Sequence, residues 1–221
     1  MKLSEKGTHI AQFFSDSEPD FSSCHERESV LGSKAIAMTD ASLVFHEFDD
    51  CLWIRCNERG CFMNSPALKA ITDNYLDKGG THVVVDLELC PGVDSTFMGT
   101  LAGISRRCMG AGGTVEIASA TARTRSAMES LGLDMLLSID PADAPWQADL
   151  AERRAVLAQD AGAMAAAPGD SLSEKDRTRH VLEAHQALRT MNEKNDEVFG
   201  YVCETLKEDL ERHEREEGEK A

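Results

Sequence analysis

The apolar positions of this chain change their period several times between residues 42 and 139. "SLVFHEF" and "CLWIRC" are short runs rich in β-branched and aromatic residues, separated by Asp49-Asp50, and they predict a hairpin. In "NSPALKAITDNYLDKGG" the period lengthens. A helix is expected from Ser65, with Pro66 in its first turn, Leu68, Ile71 and Tyr75 on one face and Gly79-Gly80 as the stop. "HVVVDLEL" is a nearly continuous apolar run, the signature of a central strand. After it, Phe97, Leu101, Ile104 and Cys108 form a helical stripe that ends at Gly110. "TVEIA" predicts another strand, "TARTRSAMESLG" a helix from Thr121 to Gly132, and "MLLSI" a last short strand. The order ββαβαβαβ predicts an α/β fold: a mixed sheet of four to five strands with helices mainly on one face.

The flanks read differently. Residues 1–40 contain "SDSEPDFSS", polar and acidic without an apolar period, and are expected to be a weakly ordered extension. The domain proper is placed at 41–140. Residues 141–171, rich in Ala, Asp and Pro, read as a linker with some helical propensity but a thin apolar face. From 172 to 221 two amphipathic helices are expected. Ser173 and Asp176 approximate a capping box; Leu182, His185 and Leu188 mark one face, and Phe199, Val202, Leu206 and Leu210 the other stripe. Two such helices with a short connection predict an antiparallel hairpin. They also offer a route to a homodimer, because exposed apolar stripes are costly.

Charge narrows the partners. The net charge is -16, so the chain repels phosphate backbones and anionic lipid; neither a nucleic-acid nor a membrane partner is expected. No apolar run is long enough to span a bilayer, and the first residues lack the apolar core of a secretory signal. The seven cysteines, at 24, 51, 56, 61, 90, 108 and 203, include no C-x-x-C pair. They read as reduced thiols of a cytoplasmic protein, with no metal site and no cofactor. His180 and His185 are five residues apart, about 140° around a helix, so they do not converge on one ion; His185 is expected in the hairpin seam.

The chemistry worth following lies in "LCPGVDSTFMGTLAGISRRC". Asp94-Ser95-Thr96 stands between a Pro-Gly turn and a helix. One reading is a plain helix N-cap, which needs one such residue and not three. The other is a serine presented at a helix N-terminus, where an added phosphate meets free backbone N–H groups and the positive end of the helix dipole. Such a phosphate also adds about -1.5 to -2 charge beside Asp94. A third possibility uses the carboxylates Asp86, Glu88 and Asp94 as the acid/base set of a small enzyme, though no nucleophile motif accompanies them.

Residues 41–140 resemble the STAS domain of anti-sigma factor antagonists. The resemblance rests on the apolar strand ending in Asp86, on Asp94-Ser95-Thr96 with Gly99 soon after, on Gly113 before a strand, and on Gly132-Leu133-Asp134. It implies a non-enzymatic protein of bacterial signalling in which Ser95, or as second choice Thr96, is the phosphoacceptor. It also implies that Asp94, Ser95, Thr96, Phe97, Met98 and Gly99 form the partner-binding surface. The implied partner is an anti-sigma factor that is also a serine kinase, bound when Ser95 is unphosphorylated and released when it is phosphorylated. Phe97 departs from the pattern, which has Gly there; it is either core or a change in the docking surface. A STAS module without phosphorylation, serving as scaffold or transport regulator, is the alternative within the same fold.

Overall fold

A computed structural model describes residues 41–159 and 172–220. The expectation for residues 1–40 lies outside the described residues. Strands β1 (Leu43–Glu47) and β2 (Leu52–Cys56) form the antiparallel hairpin, with Val44 opposite Arg55 and Phe45 opposite Ile54. From there the sheet runs parallel, through β3 (His82–Asp86), β4 (Thr114–Ala118) and β5 (Ser138–Ile139), in the order β1-β2-β3-β4-β5. This is the expected mixed sheet, with five strands. Helices α1 (Ser65–Asp77), α2 (Ser95–Gly110) and α3 (Ala122–Ser130) make the crossovers. Their N-termini follow local chemistry. Thr121 caps α3 by accepting from Thr124 N, and Asp94 caps α2 by accepting from Phe97 N. Gly132, at φ +77, supplies the left-handed residue that closes α3.

Strand alternation divides the core. Leu52, Ile54, Val83, Val85, Val115 and Ile117 face one side, where Leu68, Phe97, Leu101, Ile104 and Met128 of the three helices cover them. On the other side Val44, Trp53, Val84 and Ala118 face Trp146 and Leu157. The covering element there is α4 (Leu150–Gln159), preceded by a 3-10 turn at Pro145–Asp149. Residues 141–159 are therefore not the linker expected from their thin apolar face. Trp146 meets Trp53 edge-on at 5.3 Å, and Leu157 is buried. Two charged anchors complete the docking. Arg153 forks onto Asp50 at 2.8–2.9 Å and lies 4.7 Å from the Phe48 ring, and Arg154 forks onto Asp86 with two 2.8 Å bonds. The last strand is shorter than "MLLSI" suggested, because Leu133–Met135 turns as a 3-10 helix and leaves two residues to pair.

The C-terminal hairpin is α5 (Glu174–Arg189) and α6 (Glu193–Lys220). Ser173 caps α5 by accepting from Asp176 N, as its spacing predicts. The pair is antiparallel: Lys175 reaches Glu217 at 2.6 Å, and Arg179 reaches Glu214 at 3.7 Å. The seam on α6 differs from the expected stripe. Asn195, Phe199 and Cys203 are buried, whereas Val202 is exposed. Asn195 determines this: its amide donates to Leu131 O and Leu188 O, both at 3.0 Å, and so sets the rotation of α6. Leu188 and Phe199 join the main core, so the hairpin is packed on the α/β unit and a second copy is not required to cover these residues.

Candidate functional site

The loops after β2 and β3 meet above the N-terminus of α2. Gly60 N donates to Gly92 O at 3.0 Å, and Asp94 N donates to Gly60 O at 2.9 Å. A side chain at Gly60 would meet the Phe97 ring at 2.9 Å, so glycine lets this loop lie flat on the ring. Between the two loops sits Asp94. Its carboxylate accepts from Phe97 N at 2.8 Å and from Phe62 N at 3.0 Å. The negative charge thus stands at the positive end of the helix and fixes both loops. Asp94 is the cap, which leaves Ser95, the first helical residue, free of that duty.

Ser95 is half-buried, and its partner comes from 90 residues away: Oγ lies 3.0 Å from Nε2 of His185 on α5. The other ring nitrogen of His185, Nδ1, lies 3.0 Å from Val181 O. A carbonyl only accepts, so Nδ1 carries the proton; in the neutral ring Nε2 is then the acceptor and Ser95 Oγ–H the donor. Burial favours that neutral ring and pushes its pKa down, while the Val181 carbonyl and Asp94 pull the other way less strongly. Five residues earlier on α5, His180 Nε2 lies 2.9 Å from Ser65 Oγ and 3.2 Å from Thr100 Oγ1. Burial, with a smaller contribution from Lys69, depresses His180 to about 4. His180 therefore bridges α1 and α2, His185 bonds α2 alone, and the two share no partner.

Of the six residues expected to form a docking surface, Asp94 and Ser95 are partly accessible. Phe97 and Met98 are fully buried in the core, which places Phe97 on the core side of its two readings. Thr96 and Gly99 are also buried. A Cβ at Gly99 would stand 2.2 Å from Ala184 O, so this glycine brings the backbones of α2 and α5 into contact. Sequence reasoning missed that α5 lies directly over α2. Arg106 of α2 ties the two helices further, donating to Ala187 O at 3.0 Å and to Met191 Sδ. Arg107 pairs with Asp73 and Asp77. The exposed apolar residues Phe62 and Leu89 belong to the two loops that frame Ser95.

The carboxylates considered for acid/base work are committed elsewhere. Asp86 is completely buried and accepts both prongs of Arg154, whose guanidinium also meets Glu88 at 2.8 Å and Ser119 Oγ at 2.7 Å. Asp94 accepts two backbone N–H groups. Among the described residues no group of His, Cys, Asp and Glu is arranged to hold a metal ion, and no helix is long and apolar enough to cross a membrane. The described cysteines are free thiols.

Comparison with known proteins places this geometry. No curated protein matches the chain. Several solved structures do. A crystal structure of a Thermotoga maritima protein assigned as an anti-sigma factor antagonist is 21% identical, covering 51% of this chain and 94% of its own with a TM-score of 0.43. The Bacillus cell fate determinant SpoIIAA, in its phosphorylated form, is 15% identical over 50% of this chain and 99% of its own, at a TM-score of 0.41. An anti-sigma factor antagonist from Mycobacterium paratuberculosis is 18% identical, with 51% and 92% covered and a TM-score of 0.40. The family model for the STAS domain matches residues 42–144, from the first strand through the turn before α4. Residues 42–144, which hold the five-strand mixed sheet and Asp94-Ser95-Thr96 leading into α2, thus match the STAS domain family.

Proposed function

We propose that this chain is a phosphorylation-switched regulator of bacterial signalling acting in the cytoplasm, with Ser95 as its phosphoacceptor. In this reading it binds an anti-sigma factor that is also a serine kinase while Ser95 is unphosphorylated, and releases it afterwards. The observation that carries the reading is the division of labour at α2: Asp94 caps the helix, and Ser95 beside it, half-buried at the N-terminus, is not needed for capping. Transfer from a nucleoside triphosphate forms an Oγ–P bond and breaks the bond between the γ-phosphorus and the diphosphate oxygen. The nucleoside diphosphate leaves, and the hydroxyl proton passes to a base. The product carries about -1.5 to -2 charge next to Asp94. Two anions on one small surface repel a partner that docks there, unless the partner brings a cation.

The expected results with variants follow from the same contacts. Ser95→Ala removes the donor to His185 and costs about 1–3 kcal/mol, leaving the α/β fold intact and the partner bound. Ser95→Asp is expected to weaken partner binding at least tenfold, by less than phosphate does because it carries less charge. Melting curves together with capture of a host kinase by the wild-type chain and both variants test this. Equal capture by all three would make Ser95 a structural residue and end the switch reading.

A further inference from the structure

The hairpin that covers α2 is tied to the proposed phosphoacceptor itself. His185 Nε2 accepts a hydrogen bond from Ser95 Oγ–H, the two atoms 3.0 Å apart, and its own Nδ1–H is donated to Val181 O. Next to it, α5 and α2 touch backbone to backbone at Gly99 and Ala184, so no side chain cushions that contact. A cleft of about 130 Å³ opens further along the same interface, lined by Thr100, Gly103, His180 and Ala187 among others. The far end of the hairpin is held differently, by Leu188 in the main core and by Asn195 bonded to Leu131 O. Resting on the reading of Ser95 as phosphoacceptor, we propose that α5 is the element that reads the state of Ser95: docked on α2 while Oγ carries its proton, loosened from α2 once Oγ is esterified.

The chemistry runs through one proton. Phosphoryl transfer from a nucleoside triphosphate replaces Oγ–H by Oγ–P, with release of the nucleoside diphosphate, and the proton leaves. The ester oxygen has nothing to donate, so Nε2 of neutral His185 becomes a buried acceptor without a donor. Protonating the ring would restore a bond, but burial of the ring opposes that charge. Turning the phosphate outward leaves Nε2 unpaired; turning it inward places three oxygens where the imidazole lies. Both routes weaken the hold of α5 on α2. The segment 174–187, still tied at His180 to Ser65 and Thr100, then opens more often about its Leu188–Asn195 end. By linkage the coupling is reciprocal: a docked α5 disfavours esterification of Ser95 by the same factor.

The test installs phosphoserine at position 95 during translation of the full chain, which needs no kinase and so does not depend on whether the host modifies Ser95. Amide hydrogen exchange is compared with the unmodified protein. Exchange across α5 is expected to accelerate about tenfold to a hundredfold, the range set by one buried unpaired acceptor, while β3 and β4 keep their protection. In a His185→Gln background, whose amide offers a donor to phosphate, the phosphoserine and serine proteins should exchange alike in α5. Unchanged or slower exchange of α5 in the phosphoserine protein overturns the proposal, since the second outcome means His185 clamps the phosphate. Should phosphoserine loosen the whole domain, the His185→Gln pair decides: equal loosening with and without the histidine also overturns it.

Discussion

Replacing Arg154 with methionine is expected to lower stability by about 3 kcal/mol, a fall in Tm of roughly 6–12 °C for a chain of this size. Methionine keeps the apolar stem and removes the guanidinium. What remains is Asp86, completely buried at the end of the central strand, with one backbone donor, Glu88 N, at 3.1 Å. Arg55 stands opposite Asp86 in the strand register, but its Nε is bonded to Asn57. A carboxylate left in that position has lost both prongs of its bonded counter-ion, and only the charge of Arg55 still offsets its burial. Since Asp86 is the penalty, removing it as well should relieve the loss: Asp86→Asn with Arg154→Met is expected to recover a good part of the stability. Thermal melts of the single and double variants check both numbers. A single variant that melts within 2 °C of wild type would mean that the Arg154–Asp86 pair contributes little to the docking of α4.

Acid should loosen the C-terminal hairpin before it unfolds the sheet. His180 has an ordinary value of 6.5 and is depressed to about 4 in the fold. The folded protein therefore prefers the neutral ring, while the unfolded chain protonates it below about pH 6.5. The stability this site contributes is complete above that pH, declines as pH falls, and is gone below about 4. A shift of this size corresponds to about 3 kcal/mol in total and to about 2 kcal/mol already lost at pH 5. His185 moves in the same direction. Ser65 and Thr100 bond His180 and the Lys69 charge opposes its protonation; Asp73, Asp176 and Glu183 line the clefts beside it. Denaturant midpoints at pH 7 and pH 5 measure the loss, and His180→Gln, which hydrogen-bonds without titrating there, should flatten it. The same pH dependence in wild type and His180→Gln would remove His180 from the account.

Much of the fold was legible because its signals are local. Asp94, Thr121 and Ser173 act within three residues of themselves, and the turn glycine Gly132 acts on its own φ. Strand alternation in β2 and β3 likewise needs no knowledge of the partner strand. Most of the misses share one cause: they depend on pairings distant in sequence. The stretch 141–159 looked thin in apolar residues because its docking rests on Trp146, Leu157 and two arginines, whose partners Asp50 and Asp86 lie far back in the chain. The rotation of α6 is set by Asn195, a residue that a hydrophobic count treats as surface. His185 was readable as a seam residue, and it does meet Phe199 at 5.3 Å. That its free nitrogen would also meet Ser95 could not be read from either segment alone.

The central claim is that Ser95 is modified by phosphate in the living cell. Phosphopeptide mass spectrometry of the full-length protein purified from its own host, grown through exponential phase, stationary phase and stress, tests it most directly. The account predicts a phosphate on Ser95 whose occupancy changes between conditions. Full coverage of the peptide containing Asp94-Ser95-Thr96 with no phosphate on Ser95 in any condition, or phosphate confined to other residues, would contradict it.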